Sequence, residues 1–137
     1  RASDLDRDGQ ISLLESFLSA ASRTAEFYKT EGRLATEHPL IEDNGDGLGT
    51  PPDWFRGVLA VKRAADGASA DGTRAHQLHL VRSAAEQALS AEARSRRDEL
   101  ERRLSELRAR KEKLPADDYL KELESILLEL ADVYQGR

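Results

Sequence analysis

Four carboxylates lie within twelve residues near the start of the 137-residue chain, at Asp4, Asp6, Asp8 and Glu15. Negative charges this close repel one another unless a cation neutralises them. Calcium is a hard cation that takes about six to eight oxygen ligands, mostly from carboxylates and carbonyls. The residue types and their spacing therefore predict a calcium site.

The spacing is that of the twelve-residue EF-hand loop, with aspartates at the first, third and fifth positions and Gly9 at the sixth, where the chain turns sharply. Gln10 would offer its backbone carbonyl, Ser12 its hydroxyl or a bridging water, and Glu15 both carboxylate oxygens. The predicted metal ligands are Asp4, Asp6, Asp8, Gln10, Ser12 and Glu15. The simpler alternative is an acidic turn in which Asp8 or Ser12 caps the following helix.

The loop leads into a predicted helix from Ser12 to about Lys29, because apolar residues recur there three and four positions apart. Only three residues precede Asp4, so an entering helix is missing from this chain. We therefore expect a processed or excised piece of a longer protein, with a neighbour supplying the other half of the site.

A second acidic stretch, Glu42 to Asp53, has part of the same pattern, with Asn44, Asp46 and Thr50 at the third, fifth and ninth positions. Gly49 replaces the usual apolar residue, however, and two prolines follow it. Three interpretations stay open: a second ion site, a glycine-rich turn, or a metal-free partner for the first loop.

The rest of the chain predicts further helices and no strand, so the expected fold class is mainly α. Thr50 and Pro51 would begin a helix through Val61, a second helix would run from Thr73 to Leu89, and Ala91–Leu114 with Asp117–Gln135 would form an antiparallel, coiled-coil-like hairpin joined at Pro115. Ile126, Leu128 and Val133 lie off its leucine seam. The predicted organisation is a calcium-binding region at 1–65, a linker at 66–72, and a helical region at 73–137.

Several function classes lack support. The chain has no cysteine, and no serine lies in a strand-to-helix elbow, so no catalytic residue is predicted. His76 and His79 would be half of a transition-metal site, but no third ligand is spaced to join them, and exposed or capping roles are simpler. No basic excess indicates nucleic acid, and no apolar run approaches the roughly 20 residues that span a bilayer.

Three stretches resemble the region that follows the catalytic domain in bacterial legumain-like, caspase-fold peptidase homologues. They are Asp4–Phe17, Glu31–His38, and Asp43–Pro51 with Asp53–Gly57. Those peptidases use a histidine and a cysteine, which this chain does not provide. The resemblance implies an accessory calcium-binding segment whose partner is an upstream catalytic or accessory segment.

The expected function is thus a non-enzymatic, calcium-binding structural or interaction segment of a larger protein, with Ca²⁺ as the only cofactor. One alternative is a subunit of a processed caspase-like peptidase that supports the catalytic chain. Another is a dockerin-like module that binds a separate partner protein, although only residues 4–23 fit that pattern. A third is a stand-alone EF-hand protein. The abundance of calcium outside the cytoplasm favours a periplasmic or extracellular location.

Overall fold

The computed structural model describes residues 3–136, which form two compact units that divide between Ser83 and Ala84. The chain is about 54% helical, which confirms the mainly α class, although short antiparallel strands are present as well. The predicted linker, residues 66–72, lies inside the first unit. No helix within the described residues is long and apolar enough to cross a membrane.

The helices are α1 (Leu13–Thr30), α2 (Thr73–Gln77), α3 (Ala84–Ala88), α4 (Ala91–Ala109) and α5 (Ala116–Tyr134). The strands are β1 (Ile11–Ser12), β2 (Phe55–Arg56), β3 (Leu59–Ala60) and β4 (His79–Val81), and 3-10 turns cover Pro52–Trp54 and Lys111–Lys113. β1 pairs with β4, and β2 pairs with β3, both antiparallel.

The helix α1 forms where the sequence predicts it, and a capping box fixes its start. The Ser12 hydroxyl accepts a hydrogen bond from the Glu15 backbone N–H, and the Glu15 carboxylate accepts one from the Ser12 backbone N–H. Two backbone donors that the first helical turn would leave without partners are thereby satisfied. Leu14 and Leu18 form the buried face of the helix.

The helix predicted from Pro51 to Val61 is wrong. Only a 3-10 turn forms there, and the chain then enters the β2–β3 hairpin, in which Phe55 pairs with Ala60. The two-residue turn begins with Gly57 at φ 58°, a backbone conformation that suits tight hairpins and that glycine adopts without strain. In the sequence, Gly57 is the residue that indicates a hairpin turn here and not a helix.

The helix predicted from Thr73 to Leu89 is also wrong, because three short elements replace it. The chain leaves α2 at Gln77, runs through β4 and enters α3 at Ala84. The carbonyl of Leu78 accepts a hydrogen bond of 2.8 Å from the backbone N–H of Leu13, at the start of α1. Pairing with β1 and α1 thus competes with helical hydrogen bonds along this stretch, and tertiary contacts override the local helical spacing.

The core of the first unit is small. Its buried apolar side chains are Leu14, Leu18, Ile41 and Ala75, with Phe17, Phe55 and Val58 packed around them. Phe55 and Val58 of the β2–β3 hairpin thus pack on the same buried cluster as Phe17 of α1. Gly72 is part of this packing: its φ is 117°, and a Cβ there would lie 2.8 Å from the Phe55 ring.

In the second unit, α4 and α5 pack together as a helical pair, joined through the second 3-10 turn and Pro115. Leu100, Leu107 and Ile126 are fully buried between them. Ile126 is therefore a core residue, contrary to the prediction that it lies off the seam, whereas Leu120 and Leu127 are about half exposed. Basic side chains of α4 pair with acidic ones of α5, as Arg103 does with Glu129 at 3.5 Å.

Candidate metal site

Asp4, Asp6 and Asp8 converge at the start of the first unit. Each offers a carboxylate oxygen, and these oxygens all lie within 4.8 Å of one another. Among the described residues, no other group of three or more acidic, histidine or cysteine side chains is brought together in this way. Oδ1 of Asp4 is buried and accepts no hydrogen bond. A buried carboxylate oxygen without a partner is costly, so the site favours a cation or an ordered water at this atom.

The loop backbone holds these three side chains in place. The N–H of Gly9 donates to Asp4 Oδ2 at 3.1 Å, that of Asp8 to Asp6 Oδ1 at 3.2 Å, and that of Gln10 to Asp8 Oδ1 at 2.7 Å. The loop turns through two residues of positive φ, Arg7 at 62° and Gly9 at 81°. Each of these three hydrogen bonds joins residues of the loop itself, so they fold the carboxylates onto one turn of chain.

Glu15 lies outside the aspartate cluster and joins the two ends of the loop. Its carboxylate is buried, with Oε1 accepting from the Leu5 N–H at 2.7 Å and Oε2 from the Ser12 N–H at 2.8 Å. The Ser12 hydroxyl donates to the same Oε2 at 2.9 Å. Both residues are therefore engaged in closing the loop onto α1, rather than in the cluster of three carboxylates.

Gln10 connects the loop to the segment that packs beside it. Its side-chain amide donates to Asp8 Oδ2 at 2.9 Å, and its Oε1 accepts from the Ser83 N–H at 3.3 Å. Burial acts to raise the pKa of Asp8, but the side-chain and backbone hydrogen bonds from Gln10 and the nearby His79 and His76 outweigh it, so this pKa lies below its usual value. The environment thus favours the ionised carboxylate.

The strand partner of the loop is β4. Ile11 pairs with Val81, and Ser12 with His79, so the strand contact of the first loop is with β4 and not with the Glu42 loop, which one of the three open interpretations made its partner. His76, on α2, places Nε2 2.9 Å from Asp6 Oδ2. From the sequence, His76 is interpreted either as half of a transition-metal site or as an exposed or capping residue. Its contact with Asp6 joins residues 70 positions apart, and no local pattern indicates it.

The Glu42 loop turns in the same manner as the first. The N–H of Asp46 donates to Asn44 Oδ1 at 2.9 Å, and that of Leu48 donates to Asp46 Oδ1 at 2.7 Å. Asp53, the residue that would complete an ion shell there, is instead largely exposed and pairs with Lys62 at 2.8 Å. The loop lacks the closing carboxylate that the EF-hand pattern requires at its twelfth position.

Asp71 supplies a different closure for this second loop. Its buried carboxylate accepts from the Asp43 N–H at 2.9 Å and from the Thr50 hydroxyl at 2.7 Å. Asp43 in turn accepts from the Ala75 N–H at 2.8 Å, near the start of α2. The loop is therefore fastened to α2, the element that carries His76.

Three carboxylates on one turn of chain, partly open to solvent, form a site that suits a hard divalent cation. Compared with protein-family models, with curated proteins and with solved structures, the chain matches none.

Proposed function

We propose that this chain is a calcium-binding structural and interaction segment of a larger protein, in which the ion orders the loop from Asp4 to Glu15. The observation that carries the proposal is the convergence of the Asp4, Asp6 and Asp8 carboxylates, and the buried Oδ1 of Asp4, which accepts no hydrogen bond, supports it. Hard oxygen ligands on a tight turn with glycine at its sixth position are typical of an EF-hand calcium loop.

The ion would act by neutralising charge at the start of α1. Three aspartates within 4.8 Å repel one another, and that repulsion opposes the turn that holds them. Glu15 already connects the second and ninth loop residues, Leu5 and Ser12. Binding would therefore stabilise the loop and the first turn of α1 together. At a free calcium concentration about 100 times the Kd, the stabilisation amounts to about 2.7 kcal/mol.

An interaction role is supported by the surface of the first unit. Among the described residues of this unit, four apolar side chains are buried in the core, whereas Leu34 is 91% exposed and Leu40, Leu59 and Val61 are more than half exposed. A partner that covers these side chains would bury apolar surface that the small core leaves exposed. The partner implied by the resemblance is an upstream segment of a legumain-like peptidase homologue.

Calorimetric titration of the whole chain with calcium tests the proposal. We expect one binding event in the parent protein and none in a variant that carries both Asp4→Ala and Glu15→Gln. Asp53→Asn, which removes an acid from the second loop, is the matched control and should bind as the parent does. An absence of heat in the parent would refute the proposal, and a second binding event that Asp53→Asn abolishes would assign an ion to the Glu42 loop.

A further inference from the structure

Asp6 differs from the other two aspartates of the cluster, because α2 contacts it from outside the loop. Asp4 and Asp8 accept from Gly9 and Gln10, which belong to the loop itself. Asp6 accepts from the Asp8 N–H through Oδ1, while its Oδ2 lies 2.9 Å from Nε2 of His76. An ionised carboxylate can only accept, so the Nε2–H of His76 is the donor.

His76 is itself held in place. Ala75, the preceding residue, is buried and donates its N–H to Asp43 Oδ2 at 2.8 Å. On the other side, Leu78 accepts from the Leu13 N–H at 2.8 Å, and β4 pairs with β1 immediately afterwards. Hydrogen bonds to both loops and to α1 therefore fix the backbone on each side of the imidazole.

We infer that His76 is a positioning residue for the proposed calcium site, which holds the Asp6 carboxylate in the orientation that the ion requires. The inference rests on the proposed function. Both Asp6 oxygens are restrained, one by the loop and one by α2, so less side-chain freedom remains to be lost when the ion binds. Residues that orient a metal ligand without touching the metal typically contribute about 10- to 100-fold to metal affinity.

The test is calcium calorimetry at one fixed pH on the full chain and three variants. His76→Ala should bind calcium about tenfold more weakly, because the donor is lost. His76→Gln should stay within about twofold of the parent, because the glutamine Nε2–H can donate in its place. His38→Ala removes an exposed histidine far along the sequence and should leave affinity unchanged.

Protection of the Leu13 amide from hydrogen exchange, measured without metal, checks that α2 and β4 remain docked. We expect equal protection in all four proteins. Loss of protection in His76→Ala would overturn the inference, because it would assign His76 to holding α2 rather than Asp6. Equal affinity of His76→Ala and the parent, or equal weakening in the alanine and glutamine variants, would overturn it while leaving the calcium site intact. A parent that binds no calcium would overturn both proposals.

Discussion

Thr50 and Asp71 exchange two hydrogen bonds in the interior of the first unit. The Thr50 hydroxyl donates to Asp71 Oδ2 at 2.7 Å, and the Thr50 Oγ1 accepts from the Asp71 backbone N–H at 2.9 Å. Both residues are almost fully buried, at 2% and 3% exposed. The Thr50 hydroxyl thus links the end of the Glu42 loop to Asp71, just before α2. The interior of this unit therefore contains a buried polar contact beside its small apolar core.

Thr50→Val tests the weight of this contact, since it replaces the hydroxyl by a methyl group of similar size. The buried N–H and carboxylate oxygen of Asp71 would then lack this partner, and we expect a loss of about 2 kcal/mol in the free energy of unfolding. Urea unfolding followed by the fluorescence of Trp54, the one tryptophan of the chain, measures this loss, because Trp54 lies in the first unit together with Thr50 and Asp71. Thr24→Val, on the exposed side of α1, is the matched control and should change stability by less than about 0.5 kcal/mol.

Gln10→Ala should raise the pKa of Asp8 in the metal-free protein. Burial acts to raise this pKa and the hydrogen bonds from Gln10 lower it, with the net result below the usual 3.8. Removing the side-chain amide leaves the burial and the backbone hydrogen bond, so the pKa should move part of the way back. Carbon NMR of the Asp8 carboxyl group measures the change, with Gln135→Ala as the control.

The lowered pKa of Asp8 makes the stability of the folded chain depend on pH. A carboxyl group whose pKa is lower in the folded than in the unfolded chain contributes stability above its unfolded pKa, near 3.8, and loses it as the pH falls through the folded value. Gln10→Ala should therefore reduce the acid-induced loss of stability that Asp8 causes below about pH 4. An unchanged Asp8 pKa in this variant would contradict the hydrogen bond as its cause.

In the second unit, Glu86→Gln should destabilise the packing of α3 on α4. Both Glu86 and Arg97 are about 5% exposed, and the Arg97 guanidinium donates to both oxygens of Glu86. Burial alone would lower the pKa of Arg97, but the hydrogen bonds with Glu86 and Asp98 outweigh it and raise this pKa, so the group stays charged. Weakening a buried pair leaves a charge with too few partners, and we expect a loss of about 3 kcal/mol.

An exposed pair on the same helix provides the comparison for that variant. Arg102 and Glu99 lie 2.6 Å apart, but the Glu99 side chain is 52% exposed. Glu99→Gln should leave the free energy of unfolding nearly unchanged, because exposed ion pairs contribute little to stability. Thermal and urea unfolding followed by far-ultraviolet circular dichroism, which α4 and α5 dominate, measures both variants. Equal effects of the two substitutions would show that burial of the Glu86 pair is without energetic consequence.

The sequence by itself determined those features of the protein that depend on local interactions. The aspartate spacing and Gly9 specify the turn that gathers the three carboxylates, because the backbone hydrogen bonds that these carboxylates accept join residues at most five positions apart. Ser12 and Glu15 specify the start of α1 through a capping box. The apolar period of α4 and α5 specifies two long helices, although not which face of α5 is buried.

Contacts between distant residues were decided only by the tertiary structure. β4 has three residues, too few for an alternating pattern, and its pairing with β1 replaces a helix that the local spacing favours. Asp71 is buried in a stretch whose composition predicts a linker, because its partners are 21 and 28 residues away. The contact of His76 with Asp6 spans 70 residues. The sequence thus specifies the carboxylates, and the packing of α2 and β4 places the histidine beside them.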